Sequence, residues 1–195
     1  MKRAALLLTA GLLAGCVRDA VLENDVLRAQ WNARTLATAT DPTLAYAALS
    51  AQLVELEALY QRDSSDRRIR SLLERGYLLM GRGFIELRRL TAAASADSAR
   101  AEQEAQLRAD AERRAAYYAA DGRARIEFDF DRMLRGAQEA CASHDRAGYE
   151  RRLNEALAQP ERAPEARLEL ALGRRLAALW LAPNVAARCG FATLP

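Results

Sequence analysis

The stretch DPTLAYAALSAQLVELEALYQRDSSD, residues 41–66, decides the fold. Asp41-Pro42 reads as a helix start, with aspartate as the N-cap and proline at the first helical position, where a missing N–H is harmless. From there Leu44, Ala48, Ala51, Val54, Ala58 and Leu59 recur at helical spacing. The polar run QRDSSD, residues 61–66, then breaks the helix. An amphipathic helix bounded by turn chemistry is the unit that the rest of the chain repeats.

Towards the N-terminus, Val21, Leu22, Val26 and Leu27 open an earlier amphipathic stretch over residues 21–36. Towards the C-terminus, a helix over residues 67–90 carries Leu73, Tyr77, Met80, Phe84 and Leu87 along one face. Its Gly76, Gly81 and Gly83 each cost up to about 1 kcal/mol relative to alanine. That cost predicts close helix approach, a kink or a local break. The small-residue linker TAAASADSA (91–99) precedes a helix over residues 101–118, and Asp121-Gly122 either ends that helix or lies within a longer one. Further helices are expected over residues 126–141 and 145–158, then a turn at QPERAP (159–164) and a last helix reaching residue 181 before Pro183. Ile126, Phe128 and Phe130 alternate with Glu127, Asp129 and Asp131, too briefly for a strand. The expected class is all-α, with helices of about 15–20 residues stacked as antiparallel hairpins. The 34-residue tetratricopeptide period with its landmarks is missing, so this layout rests on helix placement alone.

The N-terminus reads as a targeting segment. Lys2 and Arg3 precede an apolar run from residue 4 to 15 interrupted only by Thr9. That run is shorter than the roughly 20 residues a membrane-spanning helix needs and has the dimensions of a secretory signal. Leu13-Ala14-Gly15-Cys16 resembles the bacterial lipobox, the alternative being an ordinary signal peptide with an incidental cysteine. The resemblance implies removal of residues 1–15, lipidation of Cys16 and a single domain over residues 16–195. Each buried acyl methylene contributes about 0.8 kcal/mol, so several chains hold a protein firmly on its membrane. Val17 follows the cysteine where inner-membrane lipoproteins commonly carry aspartate, which favours the periplasmic face of the outer membrane.

Lys2 and Arg3 supply two of the 29 basic residues, so after Gly15 the chain has 27 against 26 acidic ones. Such a near-neutral domain does not suit nucleic-acid binding, which calls for a basic face. With Cys16 assigned to lipid, Cys141 and Cys189 remain as an even pair in an oxidising compartment. A disulfide between them is expected; two free buried thiols or a metal pair are the alternatives.

Candidate chemistry is sparse. His144, the only histidine, lies in the polar turn ASHDRAG and suits a solvated loop. A nucleophilic pair with Cys141 would need an oriented base and an oxyanion donor, and neither is apparent. Glu127, Asp129 and Asp131 could form a cation site, but i and i+2 residues of a helix point apart and a solvated face is expected instead. No phosphate loop, zinc spacing or hydrolase elbow occurs, so neither metal nor cofactor is expected and an enzyme is not favoured. A concave face lined by Tyr77, Phe84, Tyr117 and Tyr118 is the candidate groove for a ligand or partner.

Residues 41–87, with Asp-Pro opening a helix, a Leu-rich helix ending in a polar turn, then Gly76-Tyr77 and Gly83-Phe84-x-Glu86, resemble the T component of TRAP-type transporters (TatT-like lipoproteins). The later AERRAAYYAADGRARIEFDF, residues 111–130, is similar to that family's next helix. The resemblance implies a periplasm-facing scaffold of degenerate tetratricopeptide-like hairpins, a homotrimer with a central pore, docking of a solute-binding protein and an apolar ligand held between hairpins. It brings no catalytic motif. The other reading on the same features is a lipoprotein scaffold for a different envelope machine, in secretion or polysaccharide export. A small hydrolase using His144 is a third.

Overall fold

The computed structural model describes the backbone of residues 2–161 and 163–191, with side chains from residue 19 onward. Cys16 and the lipobox therefore lie outside the described side chains. The elements are α1 (Lys2–Ala37), α2 (Pro42–Arg62), α3 (Arg67–Leu78), a π-helical segment (Leu79–Ile85), α4 (Glu86–Ala94), α5 (Ser98–Tyr118), α6 (Asp129–Ala142), α7 (Arg146–Leu157), α8 (Arg167–Trp180) and α9 (Pro183–Ala186). Short 3-10 turns cover Pro164–Ala166 and Ala187–Cys189. Among the described residues there is no strand, and the class is all-α as expected. Among them too, no helix is long and apolar enough to cross a membrane.

Four helices start on an aspartate whose carboxylate accepts a backbone N–H of the first turn: Asp41 from Thr43, Asp66 from Arg68, Asp97 from Arg100 and Asp145 from Gly148. Each satisfies donors that the helix itself leaves open. Asp66→Ala is expected to destabilise the fold by about 1 kcal/mol in urea denaturation at pH 7. Hydrogen bonding from Arg68 holds the Asp66 carboxyl below its ordinary value. Its contribution is therefore present above the unfolded value of 3.8 and fades as pH falls through the lower folded one. The gap between wild type and variant should narrow below that pH.

The helices pair antiparallel. Gln52 on α2 donates to the Ala29 carbonyl of α1, and Arg62 reaches Asp25. The continuous run α3–π–α4 lies along α5, from Arg70 on the Tyr118 carbonyl to Arg88 on Glu104. The pair α6–α7 packs against α8, which also contacts α4. Leu73, Leu78, Leu90, Phe128, Phe130, Leu153, Leu168 and Leu172 are almost fully buried in the shared core.

The glycines of the third helix serve two purposes at once. A Cβ on Gly76 would sit 2.9 Å from Leu53 Cδ2, which lets α2 and α3 approach closely. Gly81 and Gly83 fall in the π segment, where the Glu86 N–H reaches back five residues to the Gly81 carbonyl. A Cβ on Gly81 would lie 3.3 Å from Ala111 Cβ and 3.4 Å from the Arg108 carbonyl. The widened turn is thus pressed against α5. Where the spacing predicts a helix over residues 126–141, residues 119–128 instead form an irregular connection with Gly122 at φ +69°, and the helix starts at Asp129. Phe128 is fully buried at its end, and its N–H is capped by the Asp131 carboxylate at 3.2 Å.

Candidate functional site

Of the four aromatic residues expected to line one groove, Tyr77, Tyr117 and Tyr118 cluster around Tyr60 and Phe84 stands apart. Tyr77 on α3 and Tyr118 on α5 stack with centroids 6.0 Å apart, and Glu57 on α2 accepts both hydroxyls at 2.7 and 2.6 Å. Arg114 donates to the Tyr77 hydroxyl at 3.0 Å and lies over its ring. Tyr60 meets Tyr118 edge-on. Burial, then the Glu57 carboxylate, raises both Tyr118 and Tyr77 above the ordinary phenol value, so both stay protonated donors. Phe84 belongs to another cluster, edge-on to Tyr46 at 5.7 Å. Tyr77, Phe84 and Tyr118 are each less than a tenth exposed, whereas Tyr117 is 68% exposed. Three of the four are therefore core residues, because the face carrying Tyr77 and Phe84 turns inward and Tyr118 meets it from α5, and no open groove follows from them.

Cys141 and Cys189 form a disulfide, with sulfurs 2.00 Å apart and Cα atoms 4.9 Å apart. No Cys141 thiol is left to pair with His144. That histidine, in left-handed backbone at φ 56°, places Nδ1 2.7 Å from the Cys189 carbonyl and helps fasten the tail. The acidic trio diverges: Glu127 pairs with Arg135, the Asp129 N–H donates to Glu169, and Asp131 caps α6 while facing Arg82 at 3.5 Å. Among the described residues no three histidine, cysteine or acidic side chains are grouped to hold a metal ion.

A cleft of about 770 Å³ opens elsewhere, between the π segment, α4, α5, α6 and α8. Charged side chains form its rim and Phe130, Leu134, Leu176 and Trp180 contribute its apolar wall. Along the rim runs an alternating chain of charge. Arg89 clasps Glu86 with two bonds of 2.7 Å, Glu86 also accepts Arg108 at 2.8 Å, and Arg108 donates to Glu112 at 3.1 Å. Glu112 lies 3.8 Å from Arg82, which donates to the Ile126 carbonyl at 3.1 Å and so holds the 119–128 connection in place. Burial alone would disfavour the Arg108 charge, but Glu86 and Glu112 outweigh it and leave its pKa above the ordinary value.

Sequence reading did not find this cleft. Glu86/Arg89 and Arg108/Glu112 read as pairs within single helices, at i,i+3 and i,i+4. Only the register of α4 on α5 joins them. The π segment carrying Arg82 was signalled by its two glycines, and such segments recur at functional sites. The chain matches no protein-family model, no curated protein and no solved structure.

Proposed function

We propose that this chain is a non-catalytic, periplasm-facing lipoprotein scaffold, tethered to the outer membrane through Cys16 and associated with a transporter. Its task in this reading is to dock protein, either a solute-binding protein or further copies of itself in the homotrimer that the family resemblance implies. The observation that carries the reading is the outward face of α2. Leu44 and Val54 are each 71% exposed, and Ala47, Ala48, Ala51 and Ala58 are exposed on the turns between and beyond them. Glu55 is the one charge interrupting this row. Beside it, a shallow hollow of about 340 Å³ between α1 and α2 is lined largely by apolar atoms of residues such as Leu36, Leu44 and Ala48. Contiguous exposed apolar surface of this kind marks interaction sites, and a hollow within it receives an anchoring side chain.

Replacing Ala48 and Ala51 with glutamate tests the reading. Both positions are solvent-exposed on a helix, so far-UV circular dichroism and thermal midpoint should stay close to wild type. Native mass spectrometry of wild type, alone and with a co-expressed solute-binding protein, should show an assembly that the variant loses. If wild type and variant are monomers that behave alike in both settings, the docking role of α2 is wrong.

A further inference from the structure

We propose that the cleft is a binding site for a phosphate-class oxyanion, held by Arg82, Arg89 and Arg108. This goes beyond the docking reading and does not rest on it. Each of the three guanidiniums is fixed by a carboxylate or carbonyl yet keeps an N–H group in reserve. Arg89 spends Nε and Nη2 on Glu86, leaving Nη1. Arg108 spends Nη1 on Glu86 and Nε on Glu112, leaving Nη2. Arg82 directs Nη1 to the Ile126 carbonyl and Asp131, leaving Nη2. None of these three nitrogens has an acceptor among the described residues. The side chains line the cleft and remain 29%, 20% and 36% exposed for Arg82, Arg89 and Arg108, so a ligand reaches them.

The arrangement is preorganised. The Glu86 side chain is only 9% exposed, and a single buried carboxylate therefore holds two guanidiniums side by side. Removing their like-charge repulsion in advance lowers the ordering cost that a ligand would otherwise meet. Three donors from three elements, the π segment, α4 and α5, suit a tetrahedral oxyanion, whose oxygens diverge, better than a planar carboxylate. Across Arg82, Arg89, Arg108, Glu86, Glu112 and Asp131 the charges cancel, so recognition rests on fixed donors rather than on net field.

Glu112 is the built-in competitor. Its carboxylate is 35% exposed, bonds Arg108 and stands 3.8 Å from Arg82, beyond hydrogen-bonding distance. An incoming oxyanion takes over its place between the two guanidiniums while Glu86 stays buried. The cleft exceeds the volume of phosphate alone, so the oxyanion is either free or the phosphoryl head of a larger molecule whose body fills the rest of the cleft beside the half-buried Trp180.

The test is isothermal titration of the full chain with inorganic phosphate at constant ionic strength. A second arm uses dihexanoylphosphatidylglycerol below its micelle concentration. Arg108→Gln should weaken binding at least about tenfold, the loss of one charge-assisted donor. Glu112→Gln should tighten it by roughly threefold or more, since a competing carboxylate is removed. Glu127→Gln removes the same charge from the same rim but not from this trio, and should change affinity by less than about twofold. A gain in Glu112→Gln cannot arise from misfolding, so the proposal stays testable even if Arg108→Gln fails to fold. Phosphate binding with this pattern assigns the free anion. Binding of the lipid analogue alone, with the same pattern, assigns a phosphoryl headgroup. Binding of neither, or equal gains in Glu112→Gln and Glu127→Gln, overturns the proposal.

Discussion

Tyr77→Ala combined with Phe84→Ala is expected to leave the domain unfolded at 25 °C. Both side chains are less than a tenth exposed, and each truncation of a buried large aromatic costs about 3–5 kcal/mol. Tyr77 loses its stack on Tyr118 and its hydroxyl bond to Glu57, which leaves the carboxylate one donor short. Phe84 loses its edge contact with Tyr46 and opens a hole beside the π segment. The two lie in separate aromatic clusters, so their effects should add to roughly 6–10 kcal/mol. That is comparable with the whole stability of about 5–15 kcal/mol typical of a domain. Urea titration followed by circular dichroism should show no folded baseline for the double variant. Tyr117→Ala, at a side chain 68% exposed, should stay within about 0.5 kcal/mol of wild type. A double variant that keeps a wild-type transition would return Tyr77 and Phe84 to a surface role and sink the core assignment.

This expectation marks where sequence reading stops. Tyr77, Met80, Phe84 and Leu87 share a helix face by spacing, and spacing says which residues point the same way without saying what they meet. A groove and a core produce the same pattern. Neighbours show the limit most clearly: Tyr117 and Tyr118 are adjacent in sequence and their rings touch edge-on, yet Tyr118 is buried and Tyr117 is 68% exposed. Helix starts were legible because their chemistry is local. Asp41-Pro42 and the polar turn ending at Asp66 carry their own capping groups. The glycines announced a special position at residues 76–83, but close approach and a local break were equally good accounts until α2 and α5 were seen against them. The cleft was illegible for a stronger reason. Glu86 becomes a holder of two arginines only through the pairing of α4 with α5, a contact over 22 residues of sequence.

Removal of the Cys141–Cys189 bridge should produce the other large effect, concentrated at the C-terminal end. The bridge spans 48 residues of sequence, and the chain-entropy model gives about 4 kcal/mol for closing a loop of that size. The tail it anchors has few other attachments. Asn184 donates to the Ala94 carbonyl at 2.9 Å, Phe191 meets Tyr149 edge-on at 5.1 Å, and His144 faces the Cys189 carbonyl. Val185 is the buried apolar anchor besides Cys189 itself. In Cys141→Ser/Cys189→Ser, the 183–191 segment should therefore exchange its amide hydrogens much faster, well before α1–α5 show any change. The same variant should lose about 2–4 kcal/mol in urea titration against the oxidised wild type. The double substitution is the right comparison, because one cysteine left alone would form bridges between molecules. Tyr149 gives the effect a route inward: its hydroxyl donates to the Trp180 carbonyl at the end of α8, and its ring packs on Trp180 and Phe191. Trp180 also lines the charged cleft, so release of the tail should loosen that wall while Arg82, Arg89 and Arg108 stay in place on the π segment, α4 and α5. If reduction leaves both the midpoint and the tail's exchange rates unchanged, the tail is held by packing alone and the bridge contributes nothing to the fold.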